Sequence, residues 1–296
     1  MPFLWVFATV VATGLQVARN ALQRGMIGDA GPWGATLVRF LFGLPFSVLF
    51  TLISIVLAGG RLHPDLSAMY WFDALTGAAT QVVATAALLV AMRRAGFAVG
   101  TTMQQSSLPL AAILGLVIFR DPLSGLAWAG VAITTAGLVV LTWPRGATQS
   151  ELLSGAGFGL ASGVCFGFSL NAYRHAARTL EATHPLFSAV ATVTLTQAAQ
   201  SLVLVAFLAW RHPWALRAVA AGWRKSLAAG FCGASASAAW LLALALAPAA
   251  SVRAVAVIET PIAIMAGRRL FKEQLSVSQW LAGLLTTVGV VLTALN

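Results

Sequence analysis

Apolar residues run along this chain in long blocks that short charged clusters interrupt, and inside the blocks polar residues do not alternate with apolar ones. A helix needs about 20 apolar residues to cross a bilayer core about 30 Å thick. Blocks of that length predict helical spans over residues 3–22, 33–58, 68–92, 97–118, 122–142, 154–176, 186–210, 224–246, 248–270 and 275–295. The ninth block is the least continuous, because Arg253 and Glu259 interrupt it. A membrane β-barrel would show apolar and polar residues in alternation, and these blocks do not. The first block lacks a basic leader and is followed by nine more, so it is read as the first helix and not as a cleaved signal. The predicted fold class is all-α integral membrane with ten transmembrane helices.

Composition sharpens this picture. Of 296 residues, 59% are hydrophobic and 9% are charged, too few charges to coat a soluble domain. The net charge of +10 suggests a nucleic-acid partner only if the cations form one face. Here they punctuate the apolar blocks in small groups, as the loops of a multi-pass inner-membrane protein do, and no nucleic-acid partner is expected. Among loop cations, Arg61, Arg120, Arg174 and Arg178 fall on the side of the termini, while the more numerous remainder, Arg19 and Arg24 included, fall on the other. By the positive-inside rule the termini then lie outside the cytoplasm. Cys165 and Cys232 sit within apolar blocks and read as small core residues.

The chain also repeats itself. An offset of 152 residues aligns Pro109 with Pro261, Gly115 with Gly267, Phe119 with Phe271, Trp128 with Trp280, Thr134 with Thr286 and Gly137 with Gly289. An offset of 153 aligns Gly14 with Gly167 and Pro32 with Pro185. Two five-helix repeats are expected, 1–146 and 147–296. Five being odd, the second enters the membrane from the opposite side, an inverted repeat of the kind that places a solute site near the bilayer midplane.

Three features resemble a known family: the five-plus-five layout, Arg39 within Leu37-Val38-Arg39-Phe40-Leu41-Phe42-Gly43, and the run Phe271-Lys272-Glu273-Gln274-Leu275-Ser276 followed by Trp280 and Gly283. Together they resemble the drug/metabolite transporter superfamily, of the EamA-like ten-helix type. In the first repeat the loop acid is Asp121, followed by Pro122, where the family pattern has glutamate. The resemblance implies a secondary transporter, often an exporter of amino acids or similar metabolites, with a cavity between its halves and with both termini inside, opposite to the charge count.

Polar residues at membrane depth are the candidate site. An ionisable group there costs roughly 2.5–3.5 kcal/mol on insertion scales and normally faces a partner or a water-filled path. Glu259, about halfway along the ninth span, is a candidate for substrate binding and for proton coupling; a structural salt bridge with Arg39 or Arg253 is the alternative. Arg39 either meets substrate or extends outward to the headgroups. Gln104 and Gln105 precede Pro109 as Glu259 precedes Pro261, and both prolines predict broken helices whose freed carbonyls could meet a solute. Gln81, Asn171 and Trp240 complete the substrate-binding set, with hydrogen bonding between helices or plain packing as the other role. Gly155, Gly159, Gly163 and Gly167 recur every four residues and predict a packing seam, a sliding surface or a dimer face.

No nucleophile elbow, phosphate loop or histidine pair with metal-ligand spacing occurs, so neither an enzyme nor a metal site nor any cofactor is expected. The expected function is a secondary active or facilitative transporter, an exporter of small organic metabolites working by alternating access. Its expected partners are a small-molecule substrate, the lipid bilayer and a proton or other coupling ion, in a monomer or homodimer. The competing readings are a broad-specificity exporter of lipophilic compounds and a lipid-handling or scaffold membrane protein with no solute path.

Overall fold

The computed structural model describes residues 4–59, 62–104, 106–107, 124–142, 149–246, 252, 255–256, 258–272 and 276–294. All regular elements among them are helices: α1 Leu4–Leu41, α2 Leu44–Leu57, α3 Ala68–Ala95, α4 Phe97–Gln104, α5 Gly125–Thr142, α6 Gln149–Leu180, α7 Pro185–Arg211, α8 Pro213–Ala221, α9 Trp223–Leu246, α10 Glu259–Phe271 and α11 Val277–Ala294. Among the described residues, five stretches are long and apolar enough to cross a membrane: Leu4–Leu57, Ala68–Ala95, Leu153–Leu180, Pro185–Arg211 and Trp223–Leu246. The chain is therefore an all-α protein with helices of membrane-crossing length. Its outward residues fit that reading, with Val56, Leu57, Phe72, Leu202 and Val203 all exposed.

The chain packs as two compact units that cut across the sequence repeat. One comprises Met1–Val82 with Ser169–Pro248, the other Val83–Phe168 with Ala249–Asn296, so each draws on both halves of the chain.

In the first unit, α1 is two helical arms, 4–30 and 32–41, joined at Gly31. Gly31 has φ 68° and ψ 173°, a conformation essentially reserved for glycine, and the proline after it has no N–H to continue the ladder. The break is a sharp turn. Gln23 Nε2 donates to the carbonyl of Ala35 at 2.7 Å, a pair about 18 Å apart in a straight helix. A second interruption at Phe42–Gly43, just before Pro45, separates α1 from α2. There the backbone passes so close to α9 that a Cβ on Gly230 would strike the Phe42 carbonyl. The short α8 is absent from the predicted spans because Arg211, His212, Arg217 and Arg224 break the apolar block around it. At nine residues it is about 14 Å long, too short to cross a bilayer. It is amphipathic, burying Ala215 and Val219 one turn apart and exposing Trp214 and Arg217.

Glu181 ties two connections of this unit together. Its carboxylate accepts from the Thr183 hydroxyl, from the His63 N–H at 2.9 Å and from the Thr183 N–H at 3.1 Å, while Asp65 N–H donates to the Leu180 carbonyl at 2.8 Å. These donors, the Thr183 hydroxyl first, hold its carboxyl down to about 2.

In the second unit the glycine strip of α6 is a packing seam. A Cβ on Gly155 would meet Ala95, one on Gly159 would meet Met103 on α4, and one on Gly163 would meet Ser106. Helices α5 and α11 also meet closely. Gly137 lies against Thr286 and Gly289 lies against Thr134, so repeat-related residues contact one another reciprocally.

Gly159→Val should lower stability by roughly 1–3 kcal/mol, the usual cost of forcing volume into a packed contact. Gly157→Ala, on the open side of the same helix, should be neutral or mildly stabilising; thermal unfolding of the purified protein distinguishes them. Because the Glu181 carboxyl is depressed, its contribution is full above the unfolded value of about 4.3 and disappears as pH falls toward about 2. Melting curves of Glu181→Gln across that window should show a flatter acid dependence than the parent protein.

Candidate functional site

The first arm of α1 carries Gln16, Arg19, Asn20 and Gln23, whose spacing of three, one and three residues places them on one helical face. All four are buried. Arg19 is 1% exposed, and Arg39 on the returning arm is 3% exposed. The turn at Gly31 brings the two together: both aliphatic stems lie against Gly233 of α9, and the two guanidinium groups are close enough to repel one another. Arg19 donates to Asn20 Oδ1 at 2.6 and 3.1 Å, and Arg39 donates to Ser237 Oγ at 3.3 Å. The indole N–H of Trp240 donates to Gln16 Oε1 at 3.1 Å.

Ser237 leads from the arginines to a second group. Gln81 Oε1 accepts from the Tyr173 hydroxyl and from Gln200 Nε2, each at 3.0 Å, and Gln200 Nε2 also lies 2.9 Å from the carbonyl of Ala78. Gln81, Tyr173, Thr196, Gln197 and Ser237, with Val193 and Leu241, line a cavity of about 10 Å³, the scale of one water molecule. Helices α1, α3, α6, α7 and α9 therefore enclose a continuous polar core. Rich in N–H donors and holding two cations, it suits a group with carboxylate or other oxyanion oxygens.

The predicted site residues divide between the units. Arg39, Gln81 and Trp240 belong to this polar core, and Asn171 occupies an exposed position on α6. Arg39 does not extend to the headgroups. Its position on the returning arm turns it inward, toward Arg19 and Ser237. Trp240 is a hydrogen-bonded wall residue of the core. In the second unit Gln104 ends α4 and is buried, its Oε1 accepting no hydrogen bond among the described residues. Glu259 is 1% exposed. It stands in the first turn of α10 and not midway along a helix, since Pro261 is tolerated only where its missing N–H has no partner to lose. A carboxylate there complements the positive end of the helix dipole. Gln105, Pro109 and Arg253 lie outside the described residues.

Sequence reasoning assigned Arg19 to a loop and overlooked its place in the core. The signal was present in Gln16, Asn20 and Gln23, which flank it at helical spacing. Tyr173 was also missed, since a lone tyrosine in an apolar block gives no sign of the two glutamines it meets.

No family model and no curated protein matches the chain. A solved structure described as "Crystal structure of protein" shares the fold, with a TM-score of 0.59 and 19% identity, over 97% of this chain and 96% of that one. The helices and this likeness define an all-α protein with several helices fit to cross a membrane.

Tyr173→Phe removes one donor to Gln81 and should cost roughly 1 kcal/mol, whereas Gln81→Leu takes the shared acceptor from both the Tyr173 hydroxyl and Gln200, which keeps the Ala78 carbonyl, and should cost roughly 2 kcal/mol. Thermal unfolding of the two variants beside the parent protein checks that order.

Proposed function

We propose that the chain is a secondary transporter of the drug/metabolite transporter type, ten-spanning and built from two inverted five-helix repeats, that exports a small carboxylate-bearing metabolite such as an amino acid across the inner membrane. The observation that carries this reading is the pair Arg19 and Arg39, buried among amide side chains inside helices whose outer faces are apolar. Cations at membrane depth are costly, and their usual place is a substrate or ion path. The reciprocal contact of Gly137 with Thr286 and of Gly289 with Thr134 supports the repeat, since a local two-fold axis produces that pairing.

In this reading Arg39 and Arg19 receive the carboxylate, and Gln81 and Trp240 shape the wall beside them. Glu259 carries the coupling proton: a carboxyl group removed from water exchanges protons as its surroundings open and close. Gln104, buried in the same unit as Glu259, belongs with it to the second unit's part of the mechanism. The water-sized cavity of the first unit corresponds to a collapsed state, and alternating access opens it.

Transport of radiolabelled amino acids and simple carboxylates into proteoliposomes tests the proposal. Arg39→Gln should reduce carboxylate transport about 100-fold, the loss of one strong charge-assisted contact. Glu259→Gln should leave exchange of substrate across the membrane intact while abolishing its dependence on a pH gradient. Unchanged transport in Arg39→Gln would refute the carboxylate reading.

A further inference from the structure

The first unit also holds a cavity outside the polar core. It is an open pocket of about 580 Å³ near the Gly31 turn of α1, where α8 gives way to α9, and its walls include Met26, Asp29, Gly222, Trp223, Arg224 and Lys225. That volume falls within the roughly 300–1,000 Å³ range of small-molecule sites. Charges of both signs face it. Asp29, Arg224 and Lys225 all line it, and no ion pair joins the aspartate to either cation among the described residues. The Arg224 guanidinium lies 5.4 Å from the Trp223 ring.

The helix ends that flank α8 in the chain are aromatic and basic. Trp210, Trp214 and Trp223 are half or more exposed, and the Arg211 guanidinium lies 4.3 Å from the Trp210 ring. Exposed tryptophans beside arginines, on a short amphipathic helix and at the adjoining ends of the two apolar helices it links, mark the depth of the lipid headgroups. A pocket at that depth opens onto headgroups carrying a phosphate and, in many lipids, an amine. We infer that it is a headgroup site for an aminophospholipid, with the phosphate held by Arg224 and Lys225 and the primary ammonium by Asp29. The mixed charge of the lining selects among lipids. A quaternary ammonium has no N–H to donate to Asp29, and a purely anionic headgroup meets the aspartate as a like charge. Trp223 gives the glycerol region an apolar wall.

The test is native mass spectrometry of the purified full-length protein mixed with phosphatidylethanolamine, phosphatidylcholine or phosphatidylglycerol of identical acyl chains. The parent protein should retain phosphatidylethanolamine about tenfold better than phosphatidylcholine, as expected for one hydrogen bond to a charged group. Asp29→Asn should erase that preference, and Arg224→Gln with Lys225→Gln should weaken retention of all three lipids. These side chains are exposed, so the variants should melt with the parent protein, and a melting curve of each verifies it. Equal retention of the lipids, or a preference that survives Asp29→Asn, would overturn the assignment. So would water-soluble glycerophosphoethanolamine competing as well as the lipid, which would make the pocket a solute site.

Discussion

A buried guanidinium inside a membrane-crossing helix is the demand that shapes the first unit. Lipid offers no hydrogen bonds, and the effective penalty for removing a cation from water is several kcal/mol even after the surroundings relax. Arg19 and Arg39 repel one another as well. The chain answers with amides and hydroxyls from the same helix and its neighbours: Asn20 and Ser237 accept directly, and Gln16, Gln23, Gln81, Gln197 and Gln200 extend the polar surroundings. The result inverts a soluble protein, with polar side chains inside and leucine, valine and phenylalanine outside.

Close approach of backbones makes this enclosure feasible. Where apolar chains cannot be driven together by water, helices gain most from intimate contact at small residues. Gly233 provides the room in which the stems of both arginines lie, and Gly230 lets α9 reach the backbone at Phe42–Gly43. The second unit uses the same device along α6, where three glycines of the strip admit Ala95, Met103 and Ser106. Contacts of this type are short and leave little slack. The polar groups beside them are therefore positioned by backbone geometry and not by the choice of side-chain rotamer alone.

Helix type and position were legible in the sequence because apolar block length is a strong signal, and α3, α7 and α9 begin and end within a few residues of their predicted spans. The glycine strip was legible as a strip, but its partners were not, because spacing carries no information about the opposing helix. Arg39 was recognised as an intramembrane cation, yet its inward direction depended on the turn at Gly31, which a count of apolar residues does not register. Arg19 failed for the converse reason: a charge near the end of an apolar block looks like the beginning of a loop, while the helix in fact continues to Ala30. Glu259 was placed mid-helix for the same reason, since block length does not reveal where a helix starts within it. The division into compact units was not legible from the sequence offsets, because similarity between two segments does not say which surfaces meet.

The turn at Gly31 also fixes a phase. Each residue of an α-helix advances the side chain by about 100°, so one residue inserted or deleted between Gln23 and Gly31 would swing everything before it around the axis by that angle. The face bearing Gln16, Arg19 and Asn20 would then turn from its partners toward acyl chains, with no side chain altered. The length of that segment is thus as constrained by geometry as the chemistry it aligns, and substitutions there should be tolerated far more readily than changes in residue number.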